Sequence, residues 1–351
     1  MVKDEFEPLT KEQLDARRAF FIALPNADLQ AKFPMAKRVI DTHNDIVVSV
    51  SGGADSDCLV DWMVHLDVQK KCRYIFVDTG MEMQSQKKQI QYLQERYGIV
   101  IETVKPKVPT AASVIKHGHP FLSKQVSENI ERLQKNDFKW EDKPYEVLSE
   151  EYPQCKSALK WWCNCKKTEP HKPLRCEIGS VKWLKEFLIE NRPTFRISEK
   201  CCDSSKKEPA HRVETGSDVV CTGIRRAEGG TRTMAYSSCF VEDTKYGWAQ
   251  YMPLFFWTDR DKEDYCRAFD IRHSAAYTEY GMKRTGCAGC PYNSKWERDL
   301  EILEQYEPTM ARVCKKVFAP SYEYSRKFKE FKEEMNRKER LHGQMELEEF
   351  I

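Results

Sequence analysis

Ile46-Val47-Val48-Ser49-Val50-Ser51-Gly52-Gly53-Ala54-Asp55-Ser56 decides the fold. Ile46 to Val50 is an apolar, β-branched run of strand length. Beyond the glycines, Leu59, Trp62, Met63 and Leu66 recur at spacings of three and four, which marks one face of a helix. The stretch therefore reads as strand, glycine turn, helix. Paired glycines let the backbone bend tightly and present several N–H groups in a row. The helix behind them points its positive end at the same spot, so Ser51, Gly52, Gly53, Ala54, Asp55 and Ser56 form a seat for phosphate oxygens. Asp55 offers a carboxylate for Mg²⁺, and Ser56 a hydroxyl for a phosphate. No Gly-Lys-Ser/Thr follows at the spacing of a Walker-type loop, which excludes that class.

Outward from this loop the chain alternates. Tyr74-Ile75-Phe76-Val77 is a second strand ending in Asp78-Thr79-Gly80, a turn that offers a second wall for the nucleotide pocket. A helix over about 84–97, with Ile90, Leu93 and Tyr97 on one face, stops at Gly98, and Ile99 to Val104 is a third strand. Strands alternating with helices imply right-handed crossovers and an α/β, doubly wound parallel sheet. Ligands in such sheets lie at the carboxyl ends of the strands, where both turns fall. Residues 1–45 read as an N-terminal helical segment and 46–104 as the nucleotide-binding core. Residues 105–215, divided by Pro144, Pro153, Pro170 and Pro173, form a mainly helical insertion. The sheet returns over 216–295 with a strand at Asp218 to Cys221, followed by Gly223-Ile224-Arg225-Arg226. Residues 296–351 are helical. There, Tyr324, Phe328, Phe331 and Met335 make a docking face suited to core packing, with a partner helix as the alternative.

The chain has 351 residues, 40% hydrophobic and 32% charged, with a net charge of +2, a balance that excludes neither nucleic acid nor a small-molecule partner. The polar, acidic start and the absence of an apolar run of ~18–20 residues predict a cytoplasmic protein with no membrane partner. Fourteen cysteines are many for such a chain. In a reducing compartment clustered cysteines suggest metal or redox chemistry. Cys201-Cys202 and the turn Cys287-Ala288-Gly289-Cys290 supply four thiolates, which suit zinc or an iron–sulfur cluster equally. Cys163, Cys165 and Cys176, with His171 nearby, fit no strong zinc spacing. The stretch around Trp161 and Trp162 is basic and aromatic, which suits a nucleic-acid strand or, equally, a core edged by lysines.

Ser-Gly-Gly-x-Asp-Ser matches the PP-loop of the ATP pyrophosphatases at every defined position, and the sheet resembles the adenine nucleotide alpha hydrolase-like fold. The Cys201-Cys202 and Cys287-x-x-Cys290 pairs, about 85 positions apart, resemble the [4Fe-4S] signature of assimilatory adenylylsulfate reductases. The Arg-rich loop Gly223 to Arg232 and the segment Pro253-Leu254-Phe255-Phe256-Trp257-Thr258 resemble the same phosphoadenylylsulfate reductase-like superfamily, over about residues 45–295. Thr258 can cap the helix that follows. Two features depart from the reductases. They end in a Glu-Cys-Gly-type tail whose cysteine is the nucleophile, whereas the last cysteine here is Cys314. They also carry a modified loop, whereas this one keeps the ATP-cleaving form.

The resemblance therefore implies an adenylating ATP pyrophosphatase acting in sulfur transfer, similar to the iron–sulfur enzymes of DNA phosphorothioation and the tRNA thiolases. ATP, Mg²⁺ and a [4Fe-4S] cluster are the implied cofactors, with zinc as the alternative occupant of Cys201, Cys202, Cys287 and Cys290. A sulfur donor such as a cysteine desulfurase and a nucleic-acid acceptor are the implied partners. Asp55, Ser56, Arg225 and Arg232 are the implied catalytic residues. Ser51 to Ser56, Asp78, Thr79, Gly80, Gly223 and Arg226 are the implied nucleotide contacts, and Lys105 is a weaker candidate. A sulfonucleotide reductase using another cysteine, and a nucleotide-sensing module without turnover, are the alternatives.

Overall fold

The computed structural model describes residues 8–165, 177–229, 235–242 and 244–349. Arg232 and Cys176 lie outside them, as do His171 and the lysines that follow Cys165. The chain forms two compact units. One runs through Lys107 and resumes over Lys206–Ala288; the other comprises Val108–Ser205 and the chain from Gly289 onward. The helical insertion expected over 105–215 thus contributes 108–205 to the second unit, together with the C-terminal helices.

Among the described residues of the first unit, six strands form one sheet: β1 (Ile46–Val50), β2 (Cys72–Val77), β3 (Ile101–Val104), β4 (Val219–Thr222), β5 (Phe240–Val241) and β6 (Ala249–Tyr251). Their order is β3-β2-β1-β4-β6-β5. All neighbours are parallel except β5 and β6. The α/β fold with a central parallel sheet is therefore the one the sequence predicts. β3 begins two residues later than expected, where the Gln94 side chain accepts from the Ile101 N–H at 2.9 Å.

Strand pleating explains why β1 is apolar at almost every position. Ile46, Val48 and Val50 join a core with the helix Ala54–Leu66. Val47 points the other way, into a cluster with Ile75, Val104, Val220 and Trp248, against which Val213 of the helix Glu208–Glu214 packs. A strand covered on both faces must be hydrophobic on both. The N-terminal helices Lys11–Ala23 and Ala27–Thr42 bury Phe20 and Leu29 in the first of these cores, where Leu24, just beyond the first helix, joins them, while Leu14 stays exposed.

The second unit is helical and aromatic. Phe121, Trp161, Trp162, Phe187, Tyr324 and Phe328 share its core. Tyr324 and Phe328 come from the long helix Ala319–Glu349, and Phe331 packs against the same core, so three of the four residues of the predicted tail face meet the core; Met335 is not among its residues. Trp161 and Trp162 are fully buried, and the Trp162 indole N–H donates to the Glu141 carbonyl at 2.9 Å. Neither indole is available to stack on a nucleic-acid base, so for these two tryptophans the core reading holds. No helix among the described residues is long and apolar enough to cross a membrane.

Candidate functional site

The glycine turn sits between β1 and the helix Ala54–Leu66. Gly52 has φ +65°, and a Cβ there would also meet the Gln86 carbonyl oxygen at 3.1 Å. At Gly53 a Cβ would lie 3.0 Å from Thr285 Oγ1. The first glycine is required by backbone conformation, the second by the close approach of a neighbouring loop. Ser56 Oγ accepts from the Ser51 N–H at 2.9 Å, which closes the turn across its mouth.

A cavity of about 570 Å³ opens over this turn, at the carboxyl ends of the strands. Ser51, Ala54, Asp55, Ser56, Gly223 and Arg225 of the predicted set line it. Gly52, Gly53 and Arg226 are not among its lining residues. Nor is the triplet Asp78-Thr79-Gly80, although the residues around it, Val77 and Glu82, are. Asp78 instead pairs with Lys87 at 2.8 Å and accepts from the Gly80 N–H. Thr79 donates to Glu82 at 2.8 Å. Burial raises the Glu82 carboxyl above its ordinary value against the pull of that hydrogen bond. Lys105 is not a lining residue; its carbonyl accepts from Arg212.

Asp55 carries two cations. Arg225 Nε lies 2.9 Å and Lys262 Nζ 2.7 Å from the same carboxylate oxygen. Arg225 is buried and also pairs with the exposed Asp259 at 3.0 Å. Asp259 and Lys262 both come from the helix Asp259–Ala268, whose start Thr258 caps as predicted: Thr258 Oγ1 accepts from Asp261 N–H at 3.0 Å, and Asp261 accepts from Thr258 N–H at 2.9 Å.

Sequence reasoning missed Lys206, Lys262, Lys283 and Arg284, all of which line the cavity. Signals for them existed. Lys283-Arg284-Thr285-Gly286 runs directly into Cys287, and Lys262 lies one turn beyond the Thr258 cap. With Arg225 these make five basic side chains, set against Asp55, Glu82 and Glu228. A cavity with that excess of cations over a helix N-terminus is suited to a polyanion.

The four predicted cysteine ligands fall in both units. Cys287 is in the first, its sulfur 3.8 Å from Thr79 Oγ1. Cys201, Cys202 and Cys290 are in the second, where all three are near enough to the Tyr292 hydroxyl to add to the effect of burial in raising its pKa. Three thiols about one half-buried tyrosine are soft donors, the chemistry zinc and iron–sulfur clusters take. Among the described residues, no group of three or more His, Cys, Asp or Glu side chains converges into a formed metal site.

The β1 turn, the parallel sheet and the cation-lined cavity define a nucleotide-binding α/β protein of the PP-loop class. The phosphoadenosine phosphosulfate reductase domain model matches residues 45–138 and 122–293, and the chain belongs to that family. It is similar to the adenosine 5'-phosphosulfate reductase of Neisseria meningitidis serogroup B, 33% identical over 28% of this chain and 39% of that protein. It is also similar to the Staphylococcus epidermidis enzyme of the same name, 22% identical over 76% of this chain and 78% of that one. The match to the Neisseria protein thus spans about two fifths of that relative's length. Two solved structures align with the chain: phosphoadenylyl-sulfate reductase from Candida auris in a phosphate complex, and the U34-tRNA thiolase NcsA from Methanococcus maripaludis with its [4Fe-4S] cluster. The first is 13% identical with a TM-score of 0.40, covering 80% of this chain and 97% of that one. The second is 12% identical with a TM-score of 0.34, covering 85% and 79%.

Proposed function

We propose that this protein is an ATP pyrophosphatase that adenylates an acceptor in a sulfur-transfer reaction. The observation that carries this reading is the unmodified Ser-Gly-Gly-x-Asp-Ser turn opening onto a cavity lined by Lys206, Arg225, Lys262, Lys283 and Arg284. The turn's N–H groups and the helix N-terminus would take the β- and γ-phosphates. An acceptor oxygen attacks the α-phosphorus; the new P–O bond forms as the bond to the β-phosphate oxygen breaks, and pyrophosphate leaves. Arg225 and Lys262 are held at Asp55 before substrate arrives and can turn to the phosphate oxygens, stabilising charge on the leaving group. Asp55 is then free as a ligand for Mg²⁺, which would offset further phosphate charge. Arg232 retains its assignment from the Arg-rich loop. Cys201, Cys202, Cys287 and Cys290 are the thiolates assigned to a [4Fe-4S] cluster, which with four protein ligands would supply electron-transfer, electrostatic or structural support. The sulfur donor and a nucleic-acid acceptor remain the proposed partners.

Family membership favours a second reading, sulfonucleotide reduction, in which a cysteine attacks sulfur and releases AMP and then sulfite. One experiment separates the two. The protein is incubated anaerobically with Mg-ATP, then separately with adenylylsulfate and a thiol reductant, while AMP, pyrophosphate, sulfite, iron and acid-labile sulfide are measured. Pyrophosphate and AMP from ATP, lost by at least about 100-fold in Asp55→Asn, support the pyrophosphatase. Sulfite from adenylylsulfate with ATP left intact replaces it with the reductase.

A further inference from the structure

One turn into the helix that follows the glycine turn, Cys58 is fully buried. Its sulfur lies 3.4 Å from the sulfur of half-buried Cys266, on the helix Asp259–Ala268. Cys266 Sγ is in turn 3.5 Å from His273 Nε2, and His273 Nδ1 is 2.8 Å from a carboxylate oxygen of fully buried Asp57. A carboxylate orients an imidazole, the imidazole faces a thiol, and that thiol touches a second one. Neither the phosphate seat nor the four-cysteine assignment uses any of these residues.

We propose that Cys266 and Cys58 form a peroxide-reactive dithiol that closes reversibly to a disulfide. Cys266 is the attacking sulfur because it is the partly accessible one. The hydrogen bond from Cys58 is the largest influence drawing the Cys266 thiol down to about 5; burial opposes it, and His273 and Lys262 add to it. Burial works against charge on His273, but its contacts with Asp57 and Cys266 prevail and hold it up at about 9. The contact with Cys266, together with burial, keeps Cys58 protonated at neutral pH. The pair is therefore a thiolate beside a thiol, the arrangement in which one sulfur attacks and the other resolves.

The steps balance. The Cys266 thiolate attacks the terminal oxygen of a hydroperoxide and the O–O bond breaks. The leaving oxygen takes a proton from the imidazolium of His273, giving a sulfenic acid at Cys266 and one water or alcohol. The Cys58 sulfur attacks the sulfenic sulfur, the S–O bond breaks, and the sulfenic oxygen leaves as water with the Cys58 proton. Two thiols are oxidised by two electrons and one peroxide is reduced. Closing the bond draws the sulfurs from 3.4 Å to about 2.05 Å. The same two helices are joined by the Lys262–Asp55 pair at the phosphate seat, so the disulfide bridges elements that also meet at the nucleotide site.

The reduced full-length protein is treated with a small excess of hydrogen peroxide at pH 7, quenched with an alkylating agent, digested and mapped by mass spectrometry. The expected product is one peptide pair joined through Cys58 and Cys266, two mass units lighter than the reduced pair and restored by dithiothreitol. Cys58→Ser should leave a dimedone-reactive sulfenic acid on Cys266. His273→Ala should slow peroxide consumption by Cys266 roughly 10-fold and raise the pH midpoint of its alkylation. The native protein alone provides a control independent of any variant's folding: Cys266 should be alkylated at pH 6.5 at least about 10-fold faster than exposed Cys165. Three results would each overturn the proposal: both thiols left reduced while other cysteines oxidise, Cys266 linked to a different cysteine, or a stoichiometric zinc ion released by Cys266→Ser.

Discussion

Both units bury rings and charges, but only the first brings buried charge to the cavity. The first places charge inside: Asp57 is fully buried against His273, and Arg225 is buried between Asp55 and Asp259. The second gathers rings away from any cavity lining, with Phe187 within 5.5 Å of the ring centres of Tyr324, Phe328 and Phe331, and its buried Glu131 is held by Lys135 and Lys200. Buried charge is poor value for stability, since desolvation offsets most of the attraction, and is retained where orientation matters. Buried rings stabilise through area and shape and orient nothing that reacts. The phosphate chemistry proposed above draws on the first unit, and substitutions can break or sharpen that division.

The largest effect should come from Arg225→Ala. It removes the guanidinium that holds Asp55 and lines the phosphate cavity, leaving Lys262 as the other cation on that carboxylate. Pyrophosphate release should fall roughly 100–1,000-fold, the usual scale for a lost transition-state donor. Steady-state turnover beside a thermal melt is the check. Activity within threefold of the parent in a folded protein would mean that the charges in the first unit are structural.

Phe187→Ala tests the other side. The ring is fully buried in the aromatic core, and its loss should cost about 3–5 kcal/mol in denaturant unfolding. Nucleotide affinity of the still-folded protein should stay within about twofold, because no residue of the second unit lines the cavity. A large fall in affinity at a denaturant-free, fully folded baseline would remove the division between units.

The same contrast governs what the sequence disclosed. The β1 run and the loop after it are legible because strand, turn and helix signals are local and agree with one another. The cations of the cavity are not: Lys206, Lys262 and Arg284 are far apart in the chain, and only the tertiary fold brings them to one cavity. Nor does composition distinguish a stacking tryptophan from a core one. Trp161 and Trp162 stand among lysines in the sequence, yet face inward with Ala158 and Leu159, while Lys156, Ser157 and Lys160 take the exposed side of their helix. β5 and β6, of two and three residues, are too short to show a period.

Thr258→Ala gives the smallest effect and the finest test. Its hydroxyl is one half of a reciprocal cap, and losing it should cost about 1 kcal/mol of stability. The same helix carries Asp259 and Lys262 into the ion-pair network of Asp55. Fraying its first turn therefore loosens Asp259 directly, whereas Lys262, one turn further in, still has its backbone hydrogen bond to the Thr258 carbonyl. Pyrophosphate release should fall about two- to threefold, as a cap worth 1 kcal/mol changes populations by about fivefold at most. A loss as large as that of Arg225→Ala would show that the orientation of this helix, more than the charge of any one residue, sets the geometry of the phosphate site.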